Sequence, residues 1–208
     1  MDPIARIKTD RQNARMVDDP NADLCFLALS ESGQPSVRTL VLRDITTEGF
    51  TLFVNKTSPK WSIIEANNTA EMLVWYTNSQ RQYRINGRIE ELGSSDIEQN
   101  WHRRPSGSKY MDYSYERLGS QSSEVDSRED LIERINGLKK EHPEDAMVTP
   151  ASAAAIVLRP EVIEMLDLNM PNRIHDRRRF VLKDGHWQST QLIPCLLYTS
   201  PSPRDGLL

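Results

Sequence analysis

The stretch LCFLALSESGQPSVRTLVLRDITTEGFTLFVN, Leu24–Asn55, decides the fold. Leu24 to Leu29 is a continuous apolar run of strand length. Ser32 to Pro35 (SGQP) then supplies turn chemistry, and SVRTLVLRDI is again rich in strand formers. The two read as a hairpin. Glu48 and Gly49 precede a third short strand, FTLFV, and Asn55 to Ser58 form a polar break. Strands joined by tight turns pair antiparallel, whereas parallel neighbours need long crossovers.

Outward from this core the pattern continues. Ser58 followed by Pro59 reads as an N-cap with Pro at the first helical position, and Trp61, Ile64 and Glu65 fall at helical spacing. EMLVWY (Glu71–Tyr76) is a strand, and in Gln82–Ile89 the residues Gln82, Arg84, Asn86 and Arg88 alternate against Tyr83, Ile85 and Ile89. Ser94 can cap one helix, and Asp126 or Ser127 a longer one with Leu131, Ile135 and Leu138 on one stripe. Strands are expected at Ala155–Leu158, Val162–Leu168, Arg173–Leu182 and His186–Leu192, the last two joined by the turn KDG. About seven or eight short, mostly consecutive strands with three or four helices argue a mainly β chain. The expected architecture is an antiparallel barrel with peripheral helices, not a doubly wound parallel sheet.

The 208 residues fit one domain, and 38% hydrophobic with 27% charged residues permits a core and disfavours long disorder. A formal net charge of −4 argues against a dedicated nucleic-acid binder. Two cysteines, Cys25 and Cys195, are too few for a disulfide framework and lack zinc-site spacing. With no apolar leader at the N-terminus and no run near 18 apolar residues, a cytoplasmic protein that does not enter a membrane is expected.

Residues 1–20 form a weakly amphipathic helical arm, expected to lie across the body or a partner, and residues 21–194 form the domain. The stretch 195–208, CLLYTSPSPRDGLL, breaks with everything before it: charge thins, Pro201 and Pro203 interrupt it, and no periodicity continues. A matching reverse translation resembles a transposon end joined to a sequencing adaptor, so an assembly artefact is expected there.

Chemistry concentrates in five segments. In RIHDRRRF (Arg173–Phe180), strand alternation puts Arg173, His175, Arg177 and Arg179 on one face, which is either a solvated edge or an anion site. RTLVLR places Arg38 and Arg43 on opposite faces, so both reach one ligand only if the strand bends or Arg43 lies in the following loop. RQYRINGR offers Gln82 beside Arg84 and Arg88, a pattern that cross-strand charge pairing explains equally well. HRRPSGSK sits where a helix ends and a Pro/Gly loop begins, with Arg104 and Ser108 as anion donors. GSQSSE crowds Gln121, Ser122 and Ser123 before a helix. Taken alone, each of these last two is better explained by plain capping and loop polarity. Glycine-rich nucleotide motifs, metal-ligand histidine spacing and a GxSxG serine are absent from the sequence.

In order, GQPSVRTLVLR, NKTSPK, RQYRINGRIEEL, RRPSGS, SQSS with SRE, and RIHDRRRF with a final Trp and LIP resemble the pyridoxamine 5′-phosphate oxidase family from about Asp23 to Pro194. Members are homodimeric flavoproteins with an FMN-binding split β-barrel. The resemblance assigns Arg38, Thr39, Leu40, Val41, Leu42, Arg43, Phe53, Val54 and Lys60 to the FMN phosphate and ring surroundings, with Gln82, Gln121, Ser122 and Arg177 completing the flavin set. Arg43, Arg104 and Ser108 would hold the substrate phosphate. Arg173 and His175 would flank the pyridine ring at the reacting carbon. The chain departs from the family pattern at Pro59 (usually Arg), Asn100 (Tyr) and Leu166 (Trp), in the Ala-rich stretch ASAAAIVL, and by about four extra residues between Ser108 and Gln121.

The activity this implies is oxidation of pyridoxine or pyridoxamine 5′-phosphate to pyridoxal 5′-phosphate, with hydride passing to FMN and dioxygen returning as hydrogen peroxide. FMN would lie between two subunits. Two other readings stay open: a split-barrel flavoprotein with a different substrate, and a protein that binds FMN or pyridoxal phosphate without turnover.

Overall fold

A computed structural model describes residues 1–168 and 174–194; Arg173 and the 195–208 stretch lie outside the described residues. The elements run α1 (Pro3–Met16), β1 (Leu24–Glu31), β2 (Gln34–Thr46), β3 (Gly49–Asn55), α2 (Pro59–Ala66), β4 (Thr69–Tyr76) and β5 (Arg81–Glu91). They continue with α3 (Ser94–His102), α4 (Ser106–Arg117), α5 (Arg128–Glu141), a 3-10 turn at Glu144–Ala146, β6 (Ala153–Asp167), β7 (Asp176–Lys183) and β8 (His186–Leu192).

All strand pairs are antiparallel, in the order β3-β2-β1-β4-β5-β6-β7-β8, and a β3–β6 pairing closes the first six into a barrel. The fold is therefore the mainly β split barrel that the sequence implies. β6 is what splits: its first half, Ala153–Leu158, pairs with β3, and its second, Val162–Asp167, pairs with β7. Two hairpins turn through consecutive left-handed residues, Ser32–Gly33 and Asp184–Gly185, the geometry that matches strand twist. Alternation in β1 sends Cys25, Leu27 and Leu29 inward, against Leu42, Leu52, Met72 and Ile85.

The expected strands at 155–158 and 162–168 are one strand. Pro160 is accommodated within it at an irregularity where Asn86 pairs with Val162 and Gly87 with Pro160. Gly87 is obligatory there, because a Cβ would stand 1.9 Å from the Arg159 backbone oxygen.

Five α-helices are present among the described residues, against the three or four expected. The additional one is α4, where Pro105, Gly107 and the serines read as loop. Pro105 takes the cap position, where no helical N–H is required, and Tyr110 and Tyr113 bury α4 against Trp101, Met147 and Ala153. This second small core lies outside the barrel wall, over Phe53 of β3.

α1 lies across the body. Asp2 accepts from the Ile4 N–H with Pro3 starting the helix, and Ile4, Ile7 and Ala14 join the main core. Its polar residues are buried too: Asp10 accepts from Arg81 (2.7 Å) and from the Tyr83 hydroxyl, while Arg81 also pairs with Asp167.

Candidate active site

Three groups of side chains emerge. The first gathers where β2, α2 and the 120–123 turn meet. Arg38 shares the side of β2 that carries Leu40 and Leu42, and its guanidinium bonds the Ser36 oxygen (3.1 Å) and hydroxyl (2.8 Å). Lys60, in the first turn of α2, donates Nζ to Gln121 Oε1 (3.1 Å). The Gln121 N–H donates to Thr57 Oγ1 (3.1 Å), and Ser122 beside it adopts a left-handed backbone. Burial and then the charge of Arg38 hold the Lys60 ammonium below its ordinary pKa. Among the described residues no carboxylate pairs with Arg38 or Lys60, so these two cations favour an anion.

The second group surrounds Arg43. The bend that the sequence requires exists as a bulge between Leu42 and Asp44, with Arg43 the extra residue. The charged neighbours of the two arginines differ: Arg38 lowers the pKa of Lys60, whereas burial and then the charge of Arg104 lower that of Arg43. Arg104 stacks 4.9 Å over the Phe53 ring and donates Nη1 to Asp112 Oδ2 at 2.5 Å, while its Nε is buried with no partner among the described residues. Ser108 and Asp112 lie one turn apart on α4. Burial raises the Asp112 carboxyl, Glu116 adds to this, and Arg104 and Trp101 oppose it. Tyr115 links the two groups: burial and Asp112 raise its phenol, with Arg104 and Gln121 pulling it down.

The third group lies on the outer face across the barrel. Gln82 on β5 pairs with Leu166 on β6, which pairs with Arg177 on β7, so the three form one cross-strand row. Round the six-stranded barrel, β5 stands three strands from β2 in either direction. Arg177 donates to Glu164 (2.8 Å), which also faces Arg84 (3.6 Å). His175 immediately precedes β7, and its Nδ1 is buried with no partner among the described residues. β7 starts at Asp176, so the strand face expected over 173–179 is formed by Arg177 and Arg179 alone among the described residues. The expected role of Arg173 falls outside them.

Of the other residues assigned from sequence, Thr39 and Val41 lie on the open side of β2, and Phe53 packs under α3 and α4. Leu42 and Val54 point into the main core. Leu42 also has its N–H and oxygen engaged, by the Asp23 oxygen and by Arg11. Both residues shape the wall and leave their side chains unavailable to a ligand. Sequence reading missed Asp112 and Tyr115, which lie in a segment that Pro105 and Gly107 mark as loop.

A cavity of about 570 Å³ opens elsewhere, between the start of α1 and the β7–β8 turn, but its Arg159 is already paired with Glu48 and Glu90. Among the described residues no cluster of three or more His, Cys, Asp or Glu could hold a metal, and no helix is long and apolar enough to cross a membrane.

The sequence profile described as pyridoxamine 5′-phosphate oxidase matches residues 15–136. A pyridoxine/pyridoxamine 5′-phosphate oxidase of Salinibacter ruber is 31% identical over 198 residues, which is 93% of this chain and 89% of that one. One of Microcystis aeruginosa is 33% identical over 181 residues, 85% of this chain and 80% of its own. Among solved structures, PhzG from Burkholderia lata, in complex with tetrahydrophenazine-1-carboxylic acid, aligns with a TM-score of 0.83 at 23% identity over 93% of each chain. A pyridoxamine 5′-phosphate oxidase-related, FMN-binding protein from Nostoc punctiforme aligns at 0.75 and 16% identity, over 93% of this chain and 99% of that one. At these identities the two structures share its fold.

Proposed function

The chain belongs to the pyridoxamine 5′-phosphate oxidase family, and from that membership we propose that it is an FMN-dependent oxidase of pyridoxine or pyridoxamine 5′-phosphate, working as a homodimer. The observation that carries this reading is the pair Arg38 and Lys60, two neighbouring cations without a carboxylate among the described residues, beside Gln121 and Ser122. A flavin phosphate fits that donor set: it takes up the surplus positive charge and accepts from an ammonium, a guanidinium and the turn.

FMN, when bound, supplies the hydride acceptor, and dioxygen restores it with release of hydrogen peroxide. The protein supplies position and charge. Arg38 and Lys60 hold the flavin phosphate, and Gln121, Ser122, Gln82 and Arg177 line the rest. Arg43, Arg104 and Ser108 hold the anionic end of the substrate, so binding at a remote group fixes the reacting carbon. His175, whose buried Nδ1 has no partner among the described residues, and Arg173 orient the pyridine ring.

A second subunit is part of the reading because Gln82 and Arg177 lie across the barrel from Arg38. The outer face of β1, β2 and β4 supports it: Phe26, Val37, Val41, Leu73 and Trp75 form an apolar sheet surface, with Val37 67% exposed in the single chain. The test is an anaerobic absorbance spectrum of the purified protein with pyridoxamine 5′-phosphate added. Loss of the long-wavelength flavin band, restored by air with pyridoxal 5′-phosphate as product, is the expected result. A flavin spectrum indifferent to the substrate overturns the substrate assignment and favours a second reading, an FMN oxidoreductase acting on another anionic molecule. Asp112, lying against Arg104, is the observation that favours this second reading.

A further inference from the structure

The anchor formed by Arg43, Arg104 and Ser108 contains a carboxylate of its own. Asp112 is 4% exposed and accepts from Arg104 Nη1 at 2.5 Å. Its place is fixed by α4: Ser108 and Asp112 sit four apart on one face of a helix that begins just after Arg104. Arg104 is held from three sides, by Asp112, by the Phe53 ring and by its backbone bond to Trp101. Two donors stay open. Arg104 Nε is buried and unpartnered, and the Arg43 guanidinium has no partner among the described residues. Two arginines and one carboxylate leave one net positive charge, and the neighbouring Glu116 adds further negative potential.

We propose that Asp112 is a specificity-determining residue that tempers the charge of this anchor, weakening its hold on a doubly charged phosphate more than on a singly charged oxyanion. The inference rests on the reading that Arg43, Arg104 and Ser108 hold the substrate anion. Asp112 acts through Arg104 and does not touch the substrate. It keeps the guanidinium oriented with Nε open, and its charge repels whatever anion approaches. Coulomb energy scales with the charge of the ligand, so the penalty on a dianion is twice that on a monoanion, and the fold-change is its square.

The experiment is equilibrium binding to the FMN-loaded protein at pH 8, read as a perturbation of the flavin spectrum, with two probes. Pyridoxal 5′-phosphate carries a doubly charged phosphate, and nicotinate, a pyridine carboxylate, carries a single charge. Asp112→Asn keeps an oxygen for Arg104 and removes the charge. The expected result is a gain of about three-fold in nicotinate affinity and about ten-fold in pyridoxal 5′-phosphate affinity, with flavin content unchanged. A purely structural role for Asp112 predicts losses on both probes. Equal changes on the two probes, no change, a loss, or failure of both proteins to bind nicotinate at millimolar concentration overturns the proposal. Asp112→Ala, favourable within a helix, provides the same readout if the Asn variant does not fold. Arg104→Met separates the underlying assumption: if it leaves both affinities intact the anchor lies elsewhere, whereas if it abolishes them while Asp112→Asn changes nothing, only the role of Asp112 fails.

Discussion

Arg11 in α1 donates Nη1 to the backbone oxygen of Arg43 at 3.4 Å, across 32 residues of chain. The same side chain donates to the Leu42 and Ala22 oxygens and pairs with Asp23, and only 6% of it is exposed. Arg43 is the extra residue of the β2 bulge, so its carbonyl has no ladder partner on β3. Arg11 supplies that partner and thereby ties the docking of α1 to the position of Arg43. Arg11→Met removes charged hydrogen bonds and leaves buried carbonyls unpaired, at a cost of about 3 kcal/mol. For a chain of this size that lowers Tm by roughly 6 to 12 °C, measurable by thermal unfolding. Arg11→Lys, a single ammonium without the fork, is expected to recover less than half.

Gly87→Ala tests the close approach of β5 to the β6 bulge, where Glu161 is the extra residue. The added Cβ would meet the Arg159 oxygen at 1.9 Å and its carbonyl carbon at 2.8 Å, both backbone atoms that cannot rotate away. Two central barrel strands must separate locally to admit it. The expected loss is about 3 kcal/mol or more, by denaturant unfolding, or failure to accumulate as soluble protein. Gly137→Ala, with open space around its Cβ and a helical position, is the matched control and is expected to be neutral or stabilising.

The elements legible in the sequence are those whose periodicity tertiary contacts leave alone. The apolar run of β1, the alternation of β5, the Ser58–Pro59 helix start and the KDG turn are local signals, and the structure contains each of them. α4 was illegible because Pro105 and Gly107 advertise a loop, while its stability comes from Tyr110 and Tyr113 meeting Trp101 and Met147 from distant segments. Arg38 and Arg43 were legible as cations but not as members of different groups, since that depends on the Leu42–Asp44 bulge and on Lys60 and Arg104 arriving from other elements. Asp112 escaped notice because a lone carboxylate on a helix has no meaning until its partner is known.

If Lys60 holds the flavin phosphate as proposed, flavin binding depends on pH with a definite sign. Burial and Arg38 lower its folded pKa below the 10.5 of an unperturbed lysine, so without ligand the unfolded chain holds a proton that the folded protein releases between those values. In that window the unliganded fold gains stability as pH rises. A bound phosphate reverses the balance, because it favours the ammonium. FMN binding therefore takes up a proton on the alkaline side, and affinity is expected to fall as pH climbs through the lowered value towards 10.5. Flavin fluorescence against pH measures this. In Lys60→Gln the alkaline slope is expected to disappear along with most of the affinity, and an unchanged slope in that variant removes Lys60 from the phosphate site.

Two damaged proteins should repair each other if one flavin draws on both subunits. Lys60 and Arg38 stand across the barrel from Gln82 and Arg177, and Arg177 in the single chain is turned to Glu164. Lys60→Met is expected to abolish the phosphate contact, and Arg177→Ala the contact from the opposite face, each variant folding normally because both side chains are partly exposed. When the two are mixed and allowed to exchange subunits, half of the dimers are mixed. Each mixed dimer carries one site with both lesions and one with neither, so roughly a quarter of all sites should regain FMN and turnover. If the whole flavin site lay within one chain, every site in every dimer would keep a lesion and mixing would restore nothing. Flavin retention after gel filtration of the mixture, compared with each variant alone, distinguishes the two arrangements.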